Sequence, residues 1–148
     1  MKIGRWIATV VLLTILSGAT YFRISYDSYL ERTREGMARC AIVSLQIAET
    51  KYKVDSGSFA TSLDQLGPPA NGIVGASAPN LISKSLAEGR SWGYRITLAP
   101  SPTGFSIQAV PDGSQHNPGR YSFYSDETLV IRREIAPPLA TSASPQLR

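Results

Sequence analysis

A chain of 148 residues allows one modest domain. Its single cysteine, Cys40, and single histidine, His116, exclude an intrachain disulfide, a paired-cysteine metal knuckle and a haem-attachment motif. The 15 basic and 11 acidic residues leave a net charge of +4. The positives are scattered from Lys2 and Arg5 to Arg132 and Arg133 without a nucleic-acid-binding fold signature, so nucleic acid is not an expected partner.

Residues 1–5 form a short basic N-terminus, and no acidic residue occurs between Met1 and Tyr26. The apolar run from Trp6 to Phe22 predicts a membrane helix over 6–23, near the lower end of the ~17–25 residues a spanning helix needs. Trp6 at one end and Tyr21 and Phe22 at the other suit the two lipid–water interfaces. Ser17, Gly18 and Ala19 offer a small, uncharged surface for packing against other helices, lipid or pigments. The hydroxyls of Thr9, Thr14, Ser17 and Thr20 can bond back to the preceding turn. Lys2 and Arg5 before the span place the N-terminus in the cytoplasm and everything after Phe22 outside. The rival reading is a signal peptide cleaved after Ser17, Gly18 and Ala19. The helical pattern continuing past Ala19 argues against it.

A stalk helix is expected over 24–55, continuous with the span. Apolar or small residues recur in steps of three and four at Tyr26, Tyr29, Leu30, Thr33, Met37, Cys40, Ala41, Ser44, Ala48 and Tyr52. Cys40 on this stripe reads as a small buried hydrophobe. A helix from about residue 5 to about residue 54 would be ~75 Å long. A head this small cannot cover it, so its first half must lie in lipid or against other subunits. Asp55, Ser56 and Gly57 end it, with glycine after the last turn.

The head is expected over 56–134. Residues 61–67 read as a short helical turn, and 80–89 as a second short helix with Asn80 as N-cap and Gly89 beyond its end. The period then changes to two. Four strands are predicted, at 93–98, 104–110, 120–124 and 128–133, separated by turn residues. Tyr94 and Ile96 share one face, as do Phe105 and Ile107. With Phe123 and Ile131 they are expected to pack on Leu45, Ala48 and Tyr52 of the stalk. The fold class is therefore α+β, a long N-terminal helix against a small four-stranded antiparallel sheet. The Pro-, Ser- and Ala-rich residues 135–148 predict a disordered tail.

Reactive chemistry is sparse. Asp55, Asp64, Glu88, Asp112, Asp126 and Glu127 fall in turns and read as solvated. No catalytic triad, phosphate-binding loop or dinucleotide glycine motif is present. Loop 111–119 carries only Asp112, too few hard ligands for calcium, and His116 sits there in a turn-rich context. The expectation is a chain with no catalytic residues, metal or cofactor, and no small-molecule substrate.

Two stretches resemble a known family. Ala41–Leu66 carries a helix end with Tyr52, then Gly57, Ser58 and Phe59, then Ser62, Leu63 and Leu66. Gly119–Arg132 carries the hairpin Ser122, Phe123, Tyr124, Ser125, Asp126, Glu127, Thr128 through Ile131 and Arg132. Together with Ser91–Pro100 and Gly104–Pro111 they resemble type IV pilins and type II secretion pseudopilins over most of residues 38–133. The resemblance implies a bacterial inner-membrane protein with its head in the periplasm, acting as a structural or assembly subunit.

The N-terminus departs from that family. Gly4 stands at the family's spacing before Gly18 and is the candidate processing glycine, but Arg5 follows where the family has phenylalanine or methionine. Thr9 replaces the family's intramembrane glutamate, a costly group kept for pairing with a neighbouring subunit. The resemblance with these departures implies a pilin-fold protein not processed by prepilin peptidase. The alternative is an accessory subunit of another membrane complex, for example an electron-transfer or photosynthetic one. Its single helix would pack in the membrane, and its head would serve as an extracytoplasmic clamp.

Overall fold

The structure is a computed structural model that describes residues 2–69, 79–101, 104–114 and 119–147, with side chains from residue 13 onward. Helix α1, Lys2–Ser56, runs for 55 residues, roughly 80 Å at the usual rise. No proline interrupts it. Gly57 ends it at φ +82°, its N–H bonding the Lys53 carbonyl at 2.8 Å, a geometry that favours glycine because a Cβ crowds the left-handed region.

A 3-10 turn, Leu63–Gln65, and a four-residue helix, α2 (Lys84–Ala87), follow. The second helix is shorter than the predicted 80–89. Asn80 takes φ +57° and its N–H bonds the Gly67 carbonyl, so it serves a turn. Ser83 is the N-cap instead, accepting the Leu86 N–H.

The sheet has five antiparallel strands in the order β1-β2-β3-β4-β5: Arg90–Ser91, Tyr94–Pro100, Phe105–Pro111, Tyr121–Asp126 and Arg132–Ile135. Two predictions are corrected. The extra strand β1 pairs Arg90 with Arg95 and Ser91 with Tyr94 through a two-residue turn, Trp92–Gly93. Both turn residues have positive φ, +45° and +84°, the backbone that matches strand twist in a tight hairpin. Tryptophan is not a turn signal, so the hairpin was hidden in the sequence. The last strand is 132–135 rather than 128–133. Asp126 Oδ1 accepts the Thr128 N–H at 3.0 Å and the Thr128 hydroxyl at 2.5 Å. Leu129 turns to φ +61° and bonds back to the Asp126 carbonyl. This Asx turn outcompetes the β-propensity of Leu129, Val130 and Ile131.

One face of the sheet covers the C-terminal half of α1. Ala38, Ala41, Ile42, Leu45 and Ala48 from the helix meet Tyr94, Ile96, Phe105, Ile107, Ala109 and Phe123, and Leu63, Leu66, Ile82 and Leu86 close the end. The alternating burial of β2 and β3 follows from the two-residue period, with Phe105, Ile107 and Ala109 inward and Ser106, Gln108 and Val110 turned away. The buried helical stripe is turned from the predicted one. Ala41 and Ala48 of the expected stripe are buried, but Cys40 is exposed rather than buried, and Ser44 is exposed too. Near ~100° per residue, a shift of one or two positions moves a side chain from core to solvent.

The composition-based expectation of a disordered tail over 135–148 is also corrected. Ala140 is fully buried, and its N–H donates to Ser122 Oγ at 2.8 Å. The Arg133 N–H bonds the Pro145 carbonyl and the Leu147 N–H bonds the Ile131 carbonyl. The segment straps the outer edge of β5, satisfying donors that an edge strand would otherwise leave open.

Among the described residues, no helix is long and apolar enough to cross a membrane. The side chains of residues 6–12, the first part of the expected span, lie outside that set.

Candidate functional site

Helix α1 divides into two halves with different surroundings. The head covers its C-terminal half. In the other half, Leu13, Ile15, Leu16, Tyr21, Phe22 and Ile24 are all exposed. Ser17, Gly18 and Ala19 are exposed there too, and nothing lies within 4 Å of the position a Cβ on Gly18 would take. The local hydroxyls turn inward on the backbone: Ser17 Oγ donates to the Thr14 carbonyl at 3.0 Å, and Thr20 Oγ1 to the Leu16 carbonyl at 2.8 Å. That turns these hydroxyl donors onto the backbone and leaves Arg23 as the charged side chain among residues 13–24. Phe22 and Tyr26 stack one turn apart, with ring centroids at 6.4 Å. The side chains of Gly4, Arg5, Trp6 and Thr9 fall outside the described residues.

The packing residues expected between stalk and head come together. Leu45, Ala48, Tyr94, Ile96, Phe105, Ile107 and Phe123 are buried in one cluster, with Tyr52 and Ile131 half-buried against it. Two polar helix residues that sequence reasoning passed over lie in the same seam. Gln46 Nε2 donates to Ser125 Oγ at 2.6 Å and to the Leu129 carbonyl at 3.1 Å. Glu49 is fully buried, and its Oε2 accepts the Ala60 N–H at 2.9 Å. Its Oε1 has no hydrogen-bond partner among the described residues. Burial pushes the Glu49 carboxyl up to about 7, against the opposing pull of the Ala60 N–H. The signal for both was their place on the helix: Gln46 and Glu49 each follow a buried residue, Leu45 and Ala48, and so flank the true buried stripe.

A second joint sits nearer the N-terminal end of the head. Glu35 Oε1 accepts the Arg120 N–H at 3.0 Å, and the Tyr94 hydroxyl donates to the Tyr121 carbonyl at 2.9 Å. Gly119 lies against the Tyr94 ring so closely that a Cβ there would fall 1.9 Å from the hydroxyl oxygen. Burial, with Glu35 and Glu31 nearby, holds the Tyr94 hydroxyl well above its ordinary range, so it stays a donor.

Open clefts border the helix. One, of about 630 Å³, lies between α1, α2 and the β1–β2 hairpin and is lined by Met37, Cys40, Ser44, Arg90, Trp92 and Asp112 among others. A second, of about 760 Å³, is bounded by Gly36, Arg39, Val43, Ile131 and Leu147. Another, of about 420 Å³, is lined by Ile47, Lys51, Val54 and Leu129. Val43, Ile47, Val54, Trp92 and Leu129 are exposed.

Two of the charged groups lining these clefts, Asp112 and Arg90, have local partners. Asp112 Oδ1 accepts the Ser114 N–H and hydroxyl, which lower its carboxyl below the usual range. Glu88 pairs with Arg90 at the surface. Among the described residues, no three His, Cys, Asp or Glu side chains stand close enough to hold a metal ion. His116 lies outside them. What converges here is apolar surface along one helix, with two polar joints fixing a head to it. No family model, characterised protein or solved structure matches the chain.

Proposed function

We propose that this chain is a pilin-like, single-pass membrane protein that works as a structural or assembly subunit, a minor-pilin or pseudopilin type of component. Residues 6–23 anchor it in the inner membrane with the N-terminus in the cytoplasm, and the sheet-bearing head stands in the periplasm. The observation that carries this reading is the division of α1: the head packs only on its C-terminal half, and Leu13 to Ile24 have no intramolecular cover. Apolar side chains along several turns of one helix are costly in water and suit lipid or neighbouring helices.

Arg5 after Gly4 makes a poor prepilin peptidase site, and Thr9 supplies no carboxylate for a neighbouring amino terminus. The chain is therefore proposed to stay unprocessed. Those same two residues favour the second reading, an accessory subunit that clamps another membrane complex from outside. Intact mass and membrane fractionation test the first reading: a chain retaining Lys2 in the membrane fraction is expected, and a mature N-terminus at Arg5 overturns the unprocessed state. Affinity purification after mild detergent extraction separates the two roles. Pilus or secretion components at fixed stoichiometry support the first, and an unrelated membrane complex supports the second.

A further inference from the structure

Glu49 is the one fully buried ionisable carboxyl among the described residues. It lies near the end of α1, where the following positions Lys51, Lys53, Val54, Asp55 and Ser56 are all exposed and only Tyr52 is half-buried. The segment just beyond, 57–61, meets the helix and sheet through Ala60, which is buried in the core cluster, and Phe59, which packs against that cluster. Ala60 donates its N–H to Glu49 Oε2. The Phe59 ring packs edge-on against Phe105 at 5.1 Å between centroids, with Lys53 Nζ 4.2 Å from its centre.

Among the described residues, no compensating cation meets the carboxyl. On α1, Lys53 is turned over Phe59. The 3-10 turn brings Asp64, and β3 has no titratable side chain. From β4 and its turn come Asp126, engaged by Thr128, and Glu127 beside Gly104. Burial and the Ala60 N–H are the influences on its proton. An ionised carboxylate in this position has one oxygen with no donor, a cost that exposure to water would remove.

We propose that Glu49 is a pH-operated latch: its protonated carboxyl holds residues 57–61 against the end of α1, and its ionisation favours a form in which that joint opens and the carboxylate reaches water. The closed form binds the proton more tightly than the open form. The open fraction therefore grows as pH rises from the ordinary carboxylate range towards neutrality, and levels once both forms are ionised. The latch acts on the link between spine and head and does not depend on what surrounds the other half of α1.

Amide hydrogen exchange on the full chain in detergent micelles tests this, with protection factors corrected for intrinsic rates. Ala60 is expected to lose protection by roughly tenfold per pH unit between pH 5 and 7 and then level, while Ile42 and Ile107 keep theirs. Glu49→Gln keeps the acceptor for Ala60 without a charge, and its Ala60 protection is expected to be flat with pH. A flat profile in the wild type, or an equal slope in Glu49→Gln, overturns the proposal. Carbon-13 titration of the wild-type carboxyl checks the premise of the latch without the variant, and the wild-type exchange profile carries the test of opening even if the variant does not fold. A midpoint well above the ordinary carboxylate range supports the latch, and one within it overturns the latch.

Discussion

Gln46 Nε2 lies 2.6 Å from Ser125 Oγ, so the C-terminal half of the long helix is hydrogen-bonded directly to the fourth strand of the sheet. The same amide reaches the carbonyl of Leu129, whose φ of +61° an ordinary side chain seldom adopts. One helix residue thus fixes both the strand and the turn that leaves it.

Replacing Gln46 with alanine leaves the buried Ser125 hydroxyl without this donor and frees the Leu129 carbonyl. The expected loss is about 1–3 kcal/mol in denaturant unfolding. Gln46→Ala and Ser125→Ala should be non-additive, with a coupling of roughly 0.5–2 kcal/mol in a double-mutant cycle. Additive losses would show that the contact contributes little.

Gly119→Ala is expected to be severe for its size. The new methyl would occupy the place of the Tyr94 hydroxyl, so the ring must move and surrender its bond to the Tyr121 carbonyl. A loss of about 2–4 kcal/mol is expected from overpacking with a broken hydrogen bond. Tyr94→Phe, which loses only the hydroxyl, should cost about 1 kcal/mol. Thermal melts of both variants check the ordering, which reverses if the backbone at 119 can simply shift.

Ser122→Ala tests the C-terminal strap. Ser122 is fully buried, and its Oγ accepts the N–H of the equally buried Ala140. Removing the acceptor strands that donor, at roughly 1–3 kcal/mol. Truncation after Ile135 should cost more and also uncover the β5 edge, so light scattering should report self-association on warming. A truncated chain as stable and monodisperse as the full one would show that the strap is dispensable.

Stability is expected to fall as pH rises from about 4.5 to about 7. Glu49 moves from its ordinary 4.5 to about 7 in the folded chain. Across that window the folded state binds more protons than the unfolded state, so unfolding free energy declines with pH and the loss is complete above the folded value. The shift corresponds to roughly 3 kcal/mol at most. Urea unfolding at pH 5 and pH 8 measures it, and Glu49→Gln should remove most of the difference. Stability in the wild type that rises across this window would contradict the assignment.

Much of the fold is legible in the residues. The unbroken 3.6-residue pattern, the absence of proline before Pro68 and Gly57 after the last turn determine the long helix. The two-residue alternation around Ile96 and Ile107 determines the central strands and their inward faces. These are local properties, set by backbone geometry and the spacing of apolar side chains, and they need no partner to be read.

The tertiary structure decided what depends on distant residues. Helical period alone leaves several neighbouring stripes open. Only the docked sheet selects Ala38, Ile42 and Leu45 for burial and leaves Cys40 in solvent. Tryptophan in a tight turn, and Leu129 in a left-handed one, are held by pairing and by Asp126 and Gln46. A Pro-rich tail is ordered by Ser122 and the β5 edge, which composition cannot represent. Glu49 reads in sequence as one more helix charge. It becomes a buried, proton-holding group only because Ala60 and the core close over it, since burial belongs to the assembled fold and not to the side chain.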